Sequence, residues 1–82
     1  MSDQEILDAF SRILGDLLLN DSIALTMSTR RDDVVNWDSL AYINFIVAVE
    51  TEFDVRFGVG EVESFDSVGA IVQRTRALLG DR

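Results

Sequence analysis

The sequence predicts an all-α fold: a bundle of three main helices and one short one, with a long loop between the first two. Three observations carry this expectation. Apolar residues recur at steps of three and four in three separate segments. No run alternates apolar and polar residues long enough to make a sheet. A chain of 82 residues has room for one core, so a single domain over 1–82 is expected. No proline, internal repeat or low-complexity stretch divides it.

The first helix is expected over about 3–19. Ile6, Phe10, Ile13, Leu14, Leu17 and Leu18 form one stripe at helical spacing. Ser2 and Glu5 have capping-box spacing, and Asp3 and Glu5 suit the positive end of the helix dipole. Gly15 costs about 1 kcal/mol relative to alanine inside a helix, and fraying is expected at Asn20-Asp21. From Asn20 to Trp37 the periodicity is lost. Ile23, Leu25 and Met27 interrupt this polar stretch and are expected to pin it to the core. A loop so long in so small a domain is more often functional than idle.

The second helix is expected over 39–53, with Asp38 as its N-cap and Leu40 turned inward to anchor the first turn. Leu40, Ile43, Ile46, Val47, Val49 and Phe53 are its expected buried stripe. Glu50, Glu52 and Asp54 lie at its far end, where acids oppose the dipole, which hints at a partner-facing role. Arg56-Phe57-Gly58-Val59-Gly60 reads as a connector with two flexible joints, and a short helix is expected over 61–64. The last helix, over 66–79, has Asp66 as a plausible N-cap, a face of Val68, Ile71, Val72, Thr75, Leu78 and Leu79, and Gly80 as its stop.

Composition narrows the function. Seven basic against fifteen acidic side chains give a net charge of −8, which argues against nucleic-acid binding. No cysteine and no histidine means no thiol nucleophile, no imidazole base and no ordinary zinc site. No carboxylate pair stands out as a hydrolytic dyad, and Asp32 to Asp38 lacks the alternating acids and closing glutamate of a calcium loop. The chain is therefore not expected to be an enzyme. No apolar run approaches the roughly 18 residues of a membrane span, and the acidic start is not expected to act as a signal peptide. A soluble, cytoplasmic monomer is expected.

The chemistry reduces to Ser39. A serine at a helix start sits over unpaired backbone N–H groups and the positive end of the dipole, so a phosphate esterified there would be stabilised. Nothing nearby in sequence could activate it as a catalytic nucleophile. The bland alternative is a capping serine, and Asp66-Ser67-Val68 repeats the Asp-Ser-apolar form at another helix start.

Asp38-Ser39-Leu40 at the end of a long loop, followed by an apolar helix ending Val49-Glu50-Thr51-Glu52-Phe53, resembles the acyl carrier proteins. The resemblance spans the chain: helix, long loop, Asp-Ser-Leu, helix, glycine connector, short acidic turn, final helix. It implies that Ser39, flanked by Asp38 and Leu40, receives 4′-phosphopantetheine from coenzyme A through a phosphopantetheinyl transferase. The arm's thiol would then carry acyl groups as thioesters between an acyl-loading ligase or acyltransferase and a ketosynthase or other downstream transferase. Ser67 matches a family position that merely begins the last helix.

The resemblance also implies a partner-facing set of Trp37, Ala41, Tyr42, Asn44, Val47, Glu50 and Glu61. It suggests an acyl groove lined by Phe45, Ile46, Phe57, Val62, Phe65 and Ile71. Trp37 reads either as core packing or as a surface beside the arm. Asn36 stands where members usually carry glycine, and asparagine tolerates positive φ. Fatty-acid carriers show a row of carboxylates after the serine; here only Glu50 among the matching positions is acidic, which points to a specialised carrier docking partly by apolar contact. Arg30 and Arg31 could pair with Asp32, Asp33 or the arm's phosphate, pairing within the chain being favoured. The cargo stays open between fatty or hydroxy-fatty acyl chains, polyketide units and an amino acid loaded by a stand-alone adenylating enzyme. An unmodified helical adaptor is the alternative outside the carrier class.

Overall fold

The computed structural model describes residues 1–80, so the expected domain over 1–82 runs two residues past the described ones. Its helices are α1 (Asp3–Leu18), α2 (Ser39–Phe53), α3 (Val59–Ser64) and α4 (Val68–Leu79), with a 3₁₀ turn at Arg31–Asp33 in the long loop. There is no strand among the described residues. None of the helices is long and apolar enough to cross a membrane.

α1 packs against both α2 and α4. Its fully buried residues, Ile6, Phe10 and Leu14, belong to one core cluster with Phe45 and Val49 of α2 and Ile71 and Val72 of α4. Phe10 sets its ring edge-on to Phe45 at 5.3 Å and to Phe53 at 5.8 Å, the arrangement that the ring quadrupoles prefer. Leu17, expected in the stripe, is exposed, and Leu7 is buried instead. The capping box forms as expected: the Glu5 N–H donates to Ser2 Oγ at 3.2 Å and the Ser2 N–H donates to Glu5 Oε1 at 2.9 Å. At the other end Leu19 turns left-handed at φ 54°. The N–H of Asn20 reaches back to the Gly15 carbonyl at 2.9 Å. A Cβ on Gly15 would meet the Asn20 carbonyl oxygen at 2.8 Å, which explains the glycine inside the helix.

The loop docks on the far helix. Leu25 is buried, Ile23 and Met27 are half-buried against the core, and the Leu25 N–H donates to Ser11 Oγ at 3.0 Å. The Met27 and Thr29 carbonyls accept from the Gly69 and Val68 N–H groups, both at 2.8 Å. They thereby satisfy two of the donors that the start of α4 leaves open. This docking fixes where α4 begins. Its N-cap is Ser67, whose Oγ accepts from the Ala70 N–H at 3.2 Å, and not Asp66 as expected. α3 also starts earlier than expected, so Gly60 lies inside it and is not a flexible joint.

The face of α2 is the main correction. The buried residues are Tyr42, Phe45, Ile46, Val49 and Phe53, whereas Leu40, Ile43 and Val47 are 72%, 49% and 54% exposed. This helix is apolar almost all round, so periodicity alone does not choose its inner face. The bulky aromatics at Tyr42, Phe45 and Phe53 take the core because they bury the most area.

Candidate functional site

Ser39 is the first residue of α2 and is exposed. The chain reaches it through Asn36, which takes φ 71°, the left-handed turn that asparagine was expected to tolerate. Asp38 is the N-cap: its Oδ1 accepts from the Ala41 N–H at 2.9 Å and its carbonyl from the Tyr42 N–H at 2.8 Å. Ser39 therefore does not cap the helix, and its hydroxyl makes no hydrogen bond among the described residues. Leu40, expected to anchor the turn from inside, points outward, because the inward anchor is Trp37 on the other side of Ser39. Ser67, the competing serine, spends its oxygen on capping α4.

Trp37 and Tyr42 are buried and offer no surface to a partner. Trp37 packs edge-on to Phe45 at 5.3 Å and tilted to Tyr42 at 6.0 Å. The Tyr42 hydroxyl donates to the Val62 carbonyl at 2.7 Å and ties α2 to α3. Burial pushes its pKa up, against the charge of Arg31, whose guanidinium lies 5.1 Å over the ring. Ala41 is half-buried, and Asn44 and Val47 are exposed. Glu50 and Glu61 serve the fold. Glu50 Oε2 accepts from the Phe57 N–H and Glu61 Oε2 from the Gly58 N–H, both at 2.8 Å, while Glu61 also pairs with Arg74. The Gly58 N–H holds the Glu61 carboxyl below its usual range, with Arg74 assisting and partial burial opposing.

A cavity of about 460 Å³ opens beside Ser39, between the 3₁₀ turn and helices α2, α3 and α4. Of the expected groove residues, Val62, Phe65 and Ile71 line it, while Phe45, Ile46 and Phe57 are closed into the core behind. Ile43 and Val68 complete the apolar wall, and Arg30, Arg31 and Asp32 form one side of the rim. Neither arginine makes an ion pair among the described residues. Asp33 accepts from the Arg30 backbone N–H at 2.9 Å and so closes the 3₁₀ turn, which leaves both guanidinium groups at the cavity. Sequence reasoning missed the loop's side of the cavity, because nothing in a polar loop announces which distant helix it will dock on.

An exposed hydroxyl, a helix N-terminus and an adjacent half-apolar cavity suit a covalently held phosphate with a chain attached. With no hydrogen-bonded base on Ser39, they do not suit a catalytic nucleophile. No protein-family description matches the chain, and no curated protein sequence matches it. Among solved structures, the solution structure of a holo acyl carrier protein from Geobacter metallireducens is similar, with a TM-score of 0.82 and 34% identity over 89% of this chain and 84% of that one.

Proposed function

Because the chain belongs to the acyl carrier protein family, we propose that Ser39 bears 4′-phosphopantetheine and that the protein carries acyl groups between partner enzymes. The observation that carries this is the unengaged, exposed Ser39 hydroxyl at the start of α2, with Asp38 alone doing the capping. The group, when bound, supplies the thiol that a chain without cysteine lacks. Attachment joins Ser39 Oγ to the pantetheine-side phosphorus of coenzyme A's diphosphate, breaks the P–O bond to the adenosine-side phosphate and releases adenosine 3′,5′-bisphosphate. The base that takes the hydroxyl proton belongs to the transferase, since no side chain here is bonded to Ser39. The first N–H groups of α2 stabilise the resulting phosphodiester.

The protein itself is a monomeric cytoplasmic carrier without catalytic activity. Phosphopantetheinyl transferase, an acyl-loading ligase or acyltransferase, and a ketosynthase or similar transferase read its surface. Of the exposed residues on α2 only Glu52 is acidic, and it pairs with Arg12, which supports a specialised member whose partners dock partly by apolar contact. The net charge of −8 still steers it toward basic partners at low salt. An acyl cargo is favoured over an aminoacyl one by the apolar cavity wall beside Ser39. Incubation with coenzyme A and a promiscuous transferase tests the reading: the native chain and Ser67→Ala gain one arm, and Ser39→Ala gains none. Loading that survives Ser39→Ala moves the attachment point to another residue, and a native chain that never loads makes the protein an unmodified adaptor.

A further inference from the structure

The chain carries a net charge of −8, and a phosphodiester on Ser39 adds one more negative charge. Asp38 already takes the Ala41 and Tyr42 N–H groups, so the start of α2 has less left to offer a second anion. The Asp38 carboxylate belongs to the neighbouring residue, and Asp32, Glu63 and Asp66 line the adjoining cavity. The cations of that lining are Arg30 and Arg31. Arg12, Arg74 and Arg76 pair with Glu52, Glu61 and Asp3, whereas Arg30 and Arg31 form no ion pair among the described residues.

Both arginines are built into place. Their 3₁₀ turn is closed by Asp33 Oδ2, which accepts from the Arg30 backbone N–H at 2.9 Å, and by the Val34 N–H, which donates to the Arg31 carbonyl at 3.2 Å. The preceding residue, Thr29, is bonded to the start of α4. The Arg31 guanidinium lies 5.1 Å over the Tyr42 ring, whose hydroxyl donates to the Val62 carbonyl at 2.7 Å and so holds the ring still. A stacked guanidinium spends its face and keeps its N–H edge, the fork that matches two phosphate oxygens. Resting on the reading of Ser39 as the attachment point, we propose that Arg30 and Arg31 seat the arm's phosphodiester. They are positioning residues: their N–H groups donate to its non-bridging oxygens and fix the root of the arm against the loop side of the cavity. A carboxylate at the far end of a cargo has similar charge chemistry, but it reaches the arginines only if the whole arm folds back and is ordered, which is costly. The phosphorus is one bond from Ser39 Oγ and needs no such ordering.

The test uses the intact protein without the arm, with the bare arm, and with the arm carrying a succinyl half-thioester. Intact mass first establishes loading; a native chain that does not load counts against Ser39 as the attachment point and is thus told apart from a failure of the seat. The Arg30 and Arg31 Nε–H signals of a ¹H–¹⁵N spectrum are assigned by their loss in Arg30→Gln and in Arg31→Gln. In the native chain the bare arm should move both downfield and slow their exchange. Signals that stay in place overturn the proposal, and signals that move only with the succinyl form overturn it by assigning the arginines to a cargo carboxylate. Urea unfolding then compares loaded with unloaded protein, each variant serving as its own reference. The double variant Arg30→Gln, Arg31→Gln should lower the loaded-to-unloaded ratio of folding constants about two- to fivefold, the range of exposed ion pairs. Arg56→Gln is the charge control, since Arg56 is exposed on a groove that Ser39 does not line, and it should leave the ratio unchanged. A ratio unmoved in the double variant, or lowered as far by Arg56→Gln, overturns the proposal.

Discussion

Gly69→Ala probes the contact that shapes the cavity. In α4, Gly69 lies under the long loop, and an added Cβ would approach the Met27 carbonyl oxygen well within 3.0 Å, with Met27 C at 3.2 Å and Cα at 3.3 Å. These are backbone atoms, so no side chain can swing away. The loop must lift, and with it go the bonds from the Gly69 N–H to Met27 and from the Val68 N–H to Thr29, both 2.8 Å long. Two such bonds contribute about 1–3 kcal/mol together. Alanine returns up to about 1 kcal/mol of helix propensity. The net is a loss of about 1–2 kcal/mol, which for a domain of this size lowers Tm by roughly 5–15 °C. Gly60→Ala is the control: it lies in α3 with nothing within 4 Å of its Cβ, so alanine should leave stability unchanged or raise it by up to about 1 kcal/mol. Thermal unfolding followed by circular dichroism measures both. A Gly69→Ala protein that melts with the native chain, or a Gly60→Ala protein that falls as far, refutes the docking argument.

Three further outcomes are expected. Asp38→Ala removes the N-cap of α2 and should cost about 1 kcal/mol by urea unfolding, with amide exchange rising first in the turn around Ser39. Tyr42 is the only tyrosine, and its pKa is raised by burial, so the stability it contributes is complete below the ordinary tyrosine value of about 10 and is lost as pH rises through its folded value. Absorbance titration should show it ionising above a free tyrosine, and Tyr42→Phe should remove that part of the alkaline unfolding. Glu5 and Glu61 have carboxyls lowered chiefly by the backbone N–H groups of Ser2 and Gly58, so their contribution is present above the usual carboxylate pKa and fades as pH falls through their folded values. Glu61→Gln should flatten the acid limb of the stability curve.

The sequence made α1, its capping box, the inward-turned loop residues and the Asp38 cap legible, because each rests on neighbours within a turn of helix. The left-handed Asn36 was legible through the resemblance, since it stands where members usually carry glycine and asparagine tolerates positive φ. The inner face of α2 was not, since an almost uniformly apolar helix carries no preferred side and the aromatics decide by packing on α1. The acids at its end looked partner-facing because only the dipole was in view. In the structure Glu50 accepts from the Phe57 N–H at 2.8 Å, Glu52 pairs with Arg12 at 2.9 Å, and Asp54 adopts the left-handed C-cap at φ 53°. The first two are contacts with residues beyond the helix, which its periodicity does not reveal, and the third is a backbone turn that ends it. At the candidate site, Ser39 stood out by its setting, while the cavity beside it required the loop to fold back onto α4.

The central claim is most directly tested by fragment mass spectrometry of the native chain after exposure to coenzyme A and an active transferase. The account predicts a single phosphopantetheine borne by the peptide residue Ser39, with Ser67 and every other hydroxyl unmodified. An adduct mapped to any other residue, or a position 39 left bare by a transferase that fully loads a reference carrier, contradicts it.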